Sequence, residues 1–548
     1  MNTVVRPREQ ARLRPAGKVA RLVVSPTTVV TIVILAALAR AAVYVADRSL
    51  ASDEPFIVLN LERRSFGGLT GQLDWNQAVP VGFLEVEKAL VTLFGSTEHV
   101  VRAAVFVASL FAVALFARLA VEAVRDYAVP LAILLFSAVA LGVSYAAIAK
   151  PYELDVLVTV ALYLSTIAVL RSDRSTSSIV ALAVLGIIAP LLSYASVFVL
   201  AASATVVVAD AGVSRSHRRM LEAAFASGAW LTVLLVVYFA HSGTFSHARD
   251  WPANQTLRSF DSLQNLTGNV RDLLGVASYS NYLGYSNGLG ATFSLAAAMC
   301  AALFLTTGAV GLVRSDWRRG CLLLLPGVFM LVASALGWYP ILTRALLFLI
   351  PALALCAAEG FRILFEWSRA GAARSALLAL LALLITAEIA STARAIQSVR
   401  PDDGMKPVMR ILADHERATD TIYLDFASQY AFAHYFECRC AGRKINRARR
   451  EGLWDVSPVP GDAYQWAPAL RSHSRRFRLG VFHEYGLRGY FRDFARLPAD
   501  GRVWVILSNL DSEQRHTLIR RLDSKGRRLT AFHADGGVTT VSLLLYVF

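Results

Sequence analysis

The feature that most constrains this chain is a succession of apolar runs, each about twenty residues long and nearly free of charge, between residues 25 and 391. A hydrocarbon core of roughly 30 Å is crossed by about 20 apolar residues in a helix. A helix also satisfies its own backbone where no water can. Windows of that length place spans at 25–46, 100–122, 128–147, 153–171, 177–192, 194–210, 223–241, 289–313, 320–337, 345–362 and 375–391, the fifth and sixth separated only by Ser193 and Tyr194. With 55% hydrophobic and 17% charged residues, the composition is neither that of a soluble globular chain nor that of a disordered one. Residues 392–548 lack such runs and read as a water-soluble domain. The expected fold class is a polytopic α-helical membrane protein of about 11 transmembrane helices with a C-terminal α/β domain.

Charge orients the spans. The basic segment 1–24 carries Arg6, Arg8, Arg12, Arg14, Lys18 and Arg21, which holds it in the cytoplasm. A cleavable signal peptide is poorly supported, because the first apolar run is long and no small-residue cleavage site follows it. The loops then expected inside hold Arg125, Arg171 and Arg174, then Arg215, Arg218 and Arg219, then Arg314, Arg318 and Arg319, and finally Arg362, Arg369 and Arg374. The short loops between them are almost free of Arg. An odd number of spans places 392–548 outside the cytoplasm, and the chain in the cytoplasmic (inner) membrane. The formal charge of +15, from 55 Lys+Arg against 40 Asp+Glu, then suits anchoring and anionic membrane lipid. No nucleic-acid-binding motif occurs, so nucleic acid is not an expected partner.

Two expected outside segments are long, 47–99 and 242–288. The first is too polar to span, yet its stretch Phe83–Val91 suits a helix lying on the membrane surface. The second is rich in Ser, Asn, Tyr and Gly and reads as loop. It contains Asn254-Gln255-Thr256 and Asn265-Leu266-Thr267, a glycosylation pattern that chance also produces. In the tail, helix signals at 405–418, 428–436 and 511–525 alternate with strand signals at 420–426, 480–483, 503–507 and 538–548, while 441–478 resists assignment. The tail holds 25 Lys+Arg and 17 Asp+Glu, a net of +8 that suits either a solvated face or contact with anionic headgroups or glycan.

Charged groups at a membrane face are costly and become functional candidates. Asp53 and Glu54, just past the first span, are either an ordinary loop start or a carboxylate poised as a general base. Arg63, Arg64, Asp74, Gln77 and Lys88 follow in the same loop; the cations either reach toward lipid phosphates or hold a phosphate-bearing headgroup. Glu153 and Asp155 in Lys150-Pro151-Tyr152-Glu153-Leu154-Asp155 suit a helix N-terminus, but Lys150 has no capping role. Trp338 and Tyr339 read as belt aromatics, whereas Arg344 is a cation on the face where the charge rule disfavours one. Cys300, Cys321 and Cys356 read as packing residues, and a bridge between Cys438 and Cys440 would be strained. The ten His show no metal-ligand spacing, and there is no Gly-rich phosphate loop, so neither a metal nor another cofactor is expected.

In their order and shared placement these residues resemble the membrane-embedded GT-C glycosyltransferases, in particular the bacterial relatives of protein O-mannosyltransferases and of the lipid A aminoarabinose transferase. The likeness is carried by Asp53-Glu54, by Gln77–Pro80, and by Leu93-Phe94-Gly95-Ser96-Thr97-Glu98 with Arg102. It continues in Lys150-Pro151-Tyr152, where the family has Arg, and in Tyr339-Pro340 through Arg344 to Pro351. In the tail, Met405-Lys406-Pro407-Val408, Asp420, Tyr423 and Tyr435 resemble members with an extracytoplasmic α/β domain; 441–478 has no counterpart. The resemblance implies an inverting transfer of a hexosyl or pentosyl group from a polyprenyl-phosphate donor to an acceptor hydroxyl on an envelope glycan, lipid or protein. It implies Asp53 as the base, Glu54 orienting the acceptor, and a donor phosphate held by two or three of Lys150, Arg344, Arg63, Arg64 and Lys88. Tyr152, Tyr339, Gln77 and Asp74 would line the substrates. The competing reading is a transporter or flippase for a lipid-linked sugar, which places its charges at the midplane. Here the span centres are nearly free of charge, with Glu359 and Glu388 the nearest exceptions. A third reading, a sensor anchored by its membrane part, leaves eleven spans without a purpose.

Overall fold

The computed structural model describes residues 25–50, 53–171, 176–240, 256–257, 288–399, 404–437, 455–456, 470–471, 476–480, 487–535 and 540–548. The segment 1–24, Asn254, Asn265, Cys438 and Cys440 lie outside the described residues.

Among the described residues, eight helices are long and apolar enough to cross a membrane: α1 (Pro26–Val45), α4 (Glu98–Ala123), α7 (Tyr152–Leu170), α9 (Ser196–Val213), α10 (His217–Ala240), α12 (Trp317–Ala335), the 3₁₀ turn Thr343–Leu349 running into α13 (Ile350–Trp367), and α14 (Gly371–Gln397). Shorter apolar helices are α5 (Ala128–Ala138), α8 (Thr176–Leu192) and the described end of α11 (Gly288–Ser315). These helices lie at the positions of the eleven expected spans, eight of them long enough to cross and three shorter. The chain is a multi-pass membrane protein.

One span differs in detail. The stretch expected at 128–147 breaks at Val139 into α5 and α6 (Ala140–Tyr145). A broken helix inside a bilayer must have its freed carbonyls satisfied by neighbouring protein. Arg40 of α1 donates to the Ser137 carbonyl at 3.4 Å, and the Thr392 hydroxyl of α14 donates to that of Ala138. Arg40, only 2% exposed, is thus a structural cation within the first span. Elsewhere α11 and α13 touch backbone to backbone. A Cβ on Gly308 would fall 1.8 Å from the Cys356 carbonyl oxygen, and one on Gly360 would fall 1.8 Å from that of Phe304. Without glycine at both positions the helices could not approach so closely.

The described part of the loop after α1 holds two longer helices that are not spans, with one four-residue helical turn (Phe66–Leu69) between them. Residues Glu54–Leu61 of α2 (Glu54–Arg63) are all buried. The expected surface helix is α3 (Val81–Phe94), which buries Phe83, Leu84 and Glu87 and presents Leu93 and Phe94 at 73% and 68% exposure.

The C-terminal domain is an α/β sandwich. Its sheet runs β4 (Phe477–Leu479), β1 (Thr421–Leu424), β5 (Arg502–Ser508), β7 (Thr540–Val547), β6 (Arg527–Asp535). β1 is parallel to β4 and β5, whereas β7 is antiparallel to β5 and β6. The period-2 alternation of β5 sends Trp504 and Ile506 to one face, against Val408 and Leu412 of α15 (Met405–His415) and Phe432 of α16 (Ser428–Glu437). Val503, Val505 and Leu507 go to the other face, with Phe494 of α17 (Arg488–Ala495) and Leu518 and Leu522 of α18 (Ser512–Asp523). β2 (Asp455–Val456) and β3 (Leu470–Arg471) form a separate two-stranded ladder. The strand expected at 480–483 lies earlier, at β4, and 481–483 are outside the described residues; α17 and β6 were not expected.

The two parts are joined by a built seam. The core beneath β5 also takes in Leu50, Val58, Val101 and Ala149 of the membrane part. The Tyr435 hydroxyl donates to Glu98 at 2.6 Å and accepts the Leu50 N–H at 2.7 Å. Lys406 pairs with Glu98 at 2.8 Å and with Asp47 at 3.0 Å, and His434 meets Glu62 at 3.0 Å. The domain and the loop after α1 therefore share one side of the membrane. Tyr435→Phe removes one hydroxyl and strands a buried N–H, which costs about 1–3 kcal/mol. A lower melting temperature in detergent, with an unchanged helix signal, is the expected outcome.

Candidate functional site

The site is organised by α2. Asp53 occupies its N-cap position but makes no capping bond; its carboxylate points instead to Lys150, with Oδ2 to Nζ at 3.0 Å. Arg344, at the start of the 3₁₀ turn, brings Nη1 to within 3.8 Å of the same oxygen. Lys150 and Arg344 lie 97 and 291 positions from Asp53 along the chain, yet the three meet in one cluster; by span alternation all three belong to the same side of the membrane as the C-terminal domain. Lys150 is nearly enclosed at 5% side-chain exposure, whereas Asp53 and Arg344 keep 27% and 30%. The cluster is thus open to a ligand on one side and walled by protein on the other.

Electrostatics fixes its resting state. Burial works to raise the pKa of Asp53, but Lys150 and then Arg344 outweigh it and hold the carboxyl below the usual carboxylate range. Burial also draws the Lys150 ammonium below its ordinary value, with Asp53 opposing. The resting site is an ion pair with a second cation beside it.

Glu54, one residue on, has a different environment. It is 1% exposed and accepts from Arg102 at 2.9 and 2.8 Å, from Arg48 at 3.3 Å and from the Ala149 N–H at 2.8 Å. Arg102 in turn donates to the carbonyls of Arg48 and Ser49. This network closes Glu54 off from any acceptor and ties the loop start, α4 and the segment before α7 together. Adjacent acids therefore face adjacent partners: Glu54 takes the N–H of Ala149, and Asp53 takes the ammonium of Lys150.

Arg64, Lys88 and Asp74 gather around α2 rather than around Asp53. Phe56, Asn60 and Arg64 recur every four residues and form one stripe of the helix. Phe56 meets the Trp75 ring, with centroids 6.0 Å apart. Asn60 receives the Asp74 N–H at 3.0 Å, and Arg64 donates to the Asp74 carboxylate at 2.8 Å. Lys88 of α3 donates to the Leu61 carbonyl at 2.6 Å, satisfying an end carbonyl of α2. Arg63 lies beside Glu62 at this same end, roughly 15 Å of helix rise from Asp53. Of the five candidate cations, then, Lys150 and Arg344 reach the carboxylate, while Arg63, Arg64 and Lys88 serve the far end of α2. Gln77 accepts from Lys150 at 2.8 Å. Tyr152 stacks edge-on against Tyr145 at 5.1 Å, and the Tyr339 hydroxyl donates to the Ala345 carbonyl next to Arg344 at 2.8 Å.

Sequence reasoning did not single out the partners of Glu54. Arg102 entered it only as part of a family run, and Arg48 not at all. Glu153 and Asp155, read as helix-start acids, are in fact buried at 2% and 8% exposure. Among the described residues no group of three or more His, Cys, Asp and Glu is arranged to hold a metal ion.

Neither a protein-family model nor a curated protein matches the sequence. Solved structures to which the chain is similar include the following, all of them at 10–13% identity. One is ArnT from Cupriavidus metallidurans in the apo state, with 13% identity and a TM-score of 0.49, covering 94% of this chain and 97% of that one. The same protein bound to undecaprenyl phosphate gives 13% identity and 0.48, covering 95% and 98%. The archaeal oligosaccharyltransferase AglB from Archaeoglobus fulgidus, in complex with an inhibitory peptide and a dolichol-phosphate, gives 10% identity and 0.43, covering 76% and 64%.

The two neighbouring acids separate by stability. Glu54→Gln leaves two buried guanidinium groups short of their counter-charge and costs about 3–5 kcal/mol, read as loss of folded protein on size exclusion. Asp53→Asn, at a partly exposed pair, shifts the melting temperature far less. If both variants melt alike, the distinction drawn between them is wrong.

Proposed function

We propose that the protein is a membrane glycosyltransferase that moves a sugar from a polyprenyl-phosphate donor to an acceptor hydroxyl at the extracytoplasmic face, with Asp53 as general base. The observation that carries this reading is the meeting of Asp53, Lys150 and Arg344 at one half-open point. A glycosyl phosphate is an anion whose leaving group gains charge as the bond to the anomeric carbon breaks. Two fixed cations stabilise that charge without a general acid. The acceptor hydroxyl must lose a proton as it attacks, and a carboxylate within reach takes it.

The resting ion pair supports an order of events. Asp53 is a weak base while Lys150 and Arg344 sit on it. An arriving donor phosphate competes for both cations and returns proton affinity to the carboxylate. The acceptor oxygen then attacks the anomeric carbon from the face opposite the phosphate, with inversion. Its proton passes to Asp53, and the electron pair of the broken bond stays on the phosphate. The sequence resemblance names the same reaction. In this reading Glu54 holds the site together rather than orienting the acceptor.

Turnover decides between catalysis and carriage. Purified protein with a polyprenyl-phosphate sugar and an extract of envelope acceptors is expected to release free polyprenyl phosphate. Asp53→Asn should lower that rate by about 10²–10⁴-fold, with Lys150→Met and Arg344→Met weakening donor binding. Movement of intact donor across vesicles by Asp53→Asn, with no bond cleaved by the native chain, supports the transporter reading instead.

The location of the site is tested separately. With Cys438 and Cys440 replaced by Ser, a cysteine at the exposed Ser512 is expected to react with a membrane-impermeant thiol reagent added outside intact cells. Protection until the cells are lysed would place the domain in the cytoplasm.

A further inference from the structure

The turn that carries Gln77 is shaped by contacts from both parts of the molecule. Trp75 sits at φ +59° and ψ +35°, a left-handed conformation that a bulky residue adopts only under strain. Something must hold it there. From the membrane part, Asn60 takes the Asp74 N–H at 3.0 Å, and Arg64 pins the Asp74 carboxylate at 2.8 Å. From the C-terminal domain, Tyr430 of α16 packs its ring edge-on against Trp75 at 5.4 Å, and edge-on against Phe56 at 4.4 Å. Tyr430 is 2% exposed and its hydroxyl has no hydrogen-bond partner among the described residues, so the contact it makes with Trp75 and Phe56 is through the ring.

The conformation of Trp75 has a direct consequence at Lys150. The Trp75 carbonyl accepts the Gln77 side-chain N–H at 3.0 Å, which turns the amide so that its oxygen faces outward. That oxygen accepts from Lys150 Nζ at 2.8 Å, while Asp53 takes a second proton of the same ammonium at 3.0 Å. An ammonium has three donors. Two are thus directed, and the direction of the third follows from them.

We infer that Gln77 is a positioning residue that aims the Lys150 ammonium at the donor phosphate, and that the C-terminal domain sets it by holding Trp75 through Tyr430. The domain is then a working wall of the donor site, whatever else it binds. This rests on the reading of Lys150 as a phosphate ligand, and the experiment keeps the two apart.

The probe is undecaprenyl phosphate, titrated into the full-length protein in detergent. Lys150→Met is expected to weaken binding about 100-fold, and Gln77→Met, which keeps the side-chain length without the acceptor, about 10-fold. Combined with Lys150→Met, Gln77→Met should add less than 2-fold, because it acts only through that ammonium. Tyr430→Ala should reproduce the Gln77→Met loss and show no further loss when combined with it, and Tyr430→Phe should bind as the native chain does. Tyr430→Leu, which refills the space without an aromatic edge, replaces Tyr430→Ala if that variant fails to fold. If Lys150→Met binds the probe normally, the reading of the donor site falls. If Lys150→Met is weakened but Gln77→Met is not, or if their losses add, the positioning role falls. If the Tyr430 variants bind normally while Gln77→Met does not, the part given to the C-terminal domain falls.

Discussion

The buried carboxylate of Glu54 is the interaction on which the site depends. Burying one charge without partners is prohibitive, and burying it with two arginines and a backbone N–H is tolerable only when the geometry is nearly complete. The geometry here is set from three directions: Arg48 at the end of α1, Arg102 on α4 and Ala149 just before α7. Each of these must be in place before the charge is satisfied. The network therefore acts as a register between elements that have no sequence relation to one another. Its product is the position of the adjacent residue on each side of the junction, Asp53 before Glu54 and Lys150 after Ala149.

This explains why two adjacent acids have unlike environments. A helix start turns successive side chains about 100° apart, so Glu54 points into the protein while Asp53 points across the opening. Asp53 forgoes the usual capping bond of an N-cap acid, and that bond is offset by the pair with Lys150. The same economy appears at the other end of α2. Lys88 closes a terminal carbonyl there, and Arg64 fixes the turn that returns toward Lys150. Most charges of the loop after α1 are thus committed to holding α2, which leaves Lys150 and Arg344 as the cations at the carboxylate.

The membrane part was legible because its signal is long and redundant. Twenty apolar residues cannot be hidden by tertiary context, so hydropathy alone located the long helices. The site was legible only as a set of suspects. Asp53, Lys150 and Arg344 were recognisable as charges where charge is expensive, but their meeting is a matter of packing between distant segments. The partners of Glu54 lie 6, 48 and 95 positions away. No periodicity encodes such pairs. Arg63, Arg64 and Lys88 carried the same signal as Lys150 and differ only in what they face. β6 escaped notice for another reason: it is an edge strand with most of its residues exposed, so it shows no alternation to read.

The seam between the two parts bears on how the site can be used. Tyr435 and Lys406 converge on Glu98, which lies on the same helix and one turn before Arg102. The C-terminal domain is therefore anchored to the same helix that anchors Glu54, and its α16 carries both the anchoring Tyr435 and the packing Tyr430. The two are five positions apart on a helix of ten, so neither can shift without the other. A domain that merely recruited an acceptor would need a flexible tether and few buried polar contacts with the membrane part. Buried bonds from Tyr435, His434 and Lys406, together with a continuous apolar core beneath β5, are instead the marks of a fixed wall. On the proposed reading, any motion that admits an acceptor comes from elements other than α16, because moving α16 would break the Tyr430–Trp75 contact that sets Gln77 against Lys150.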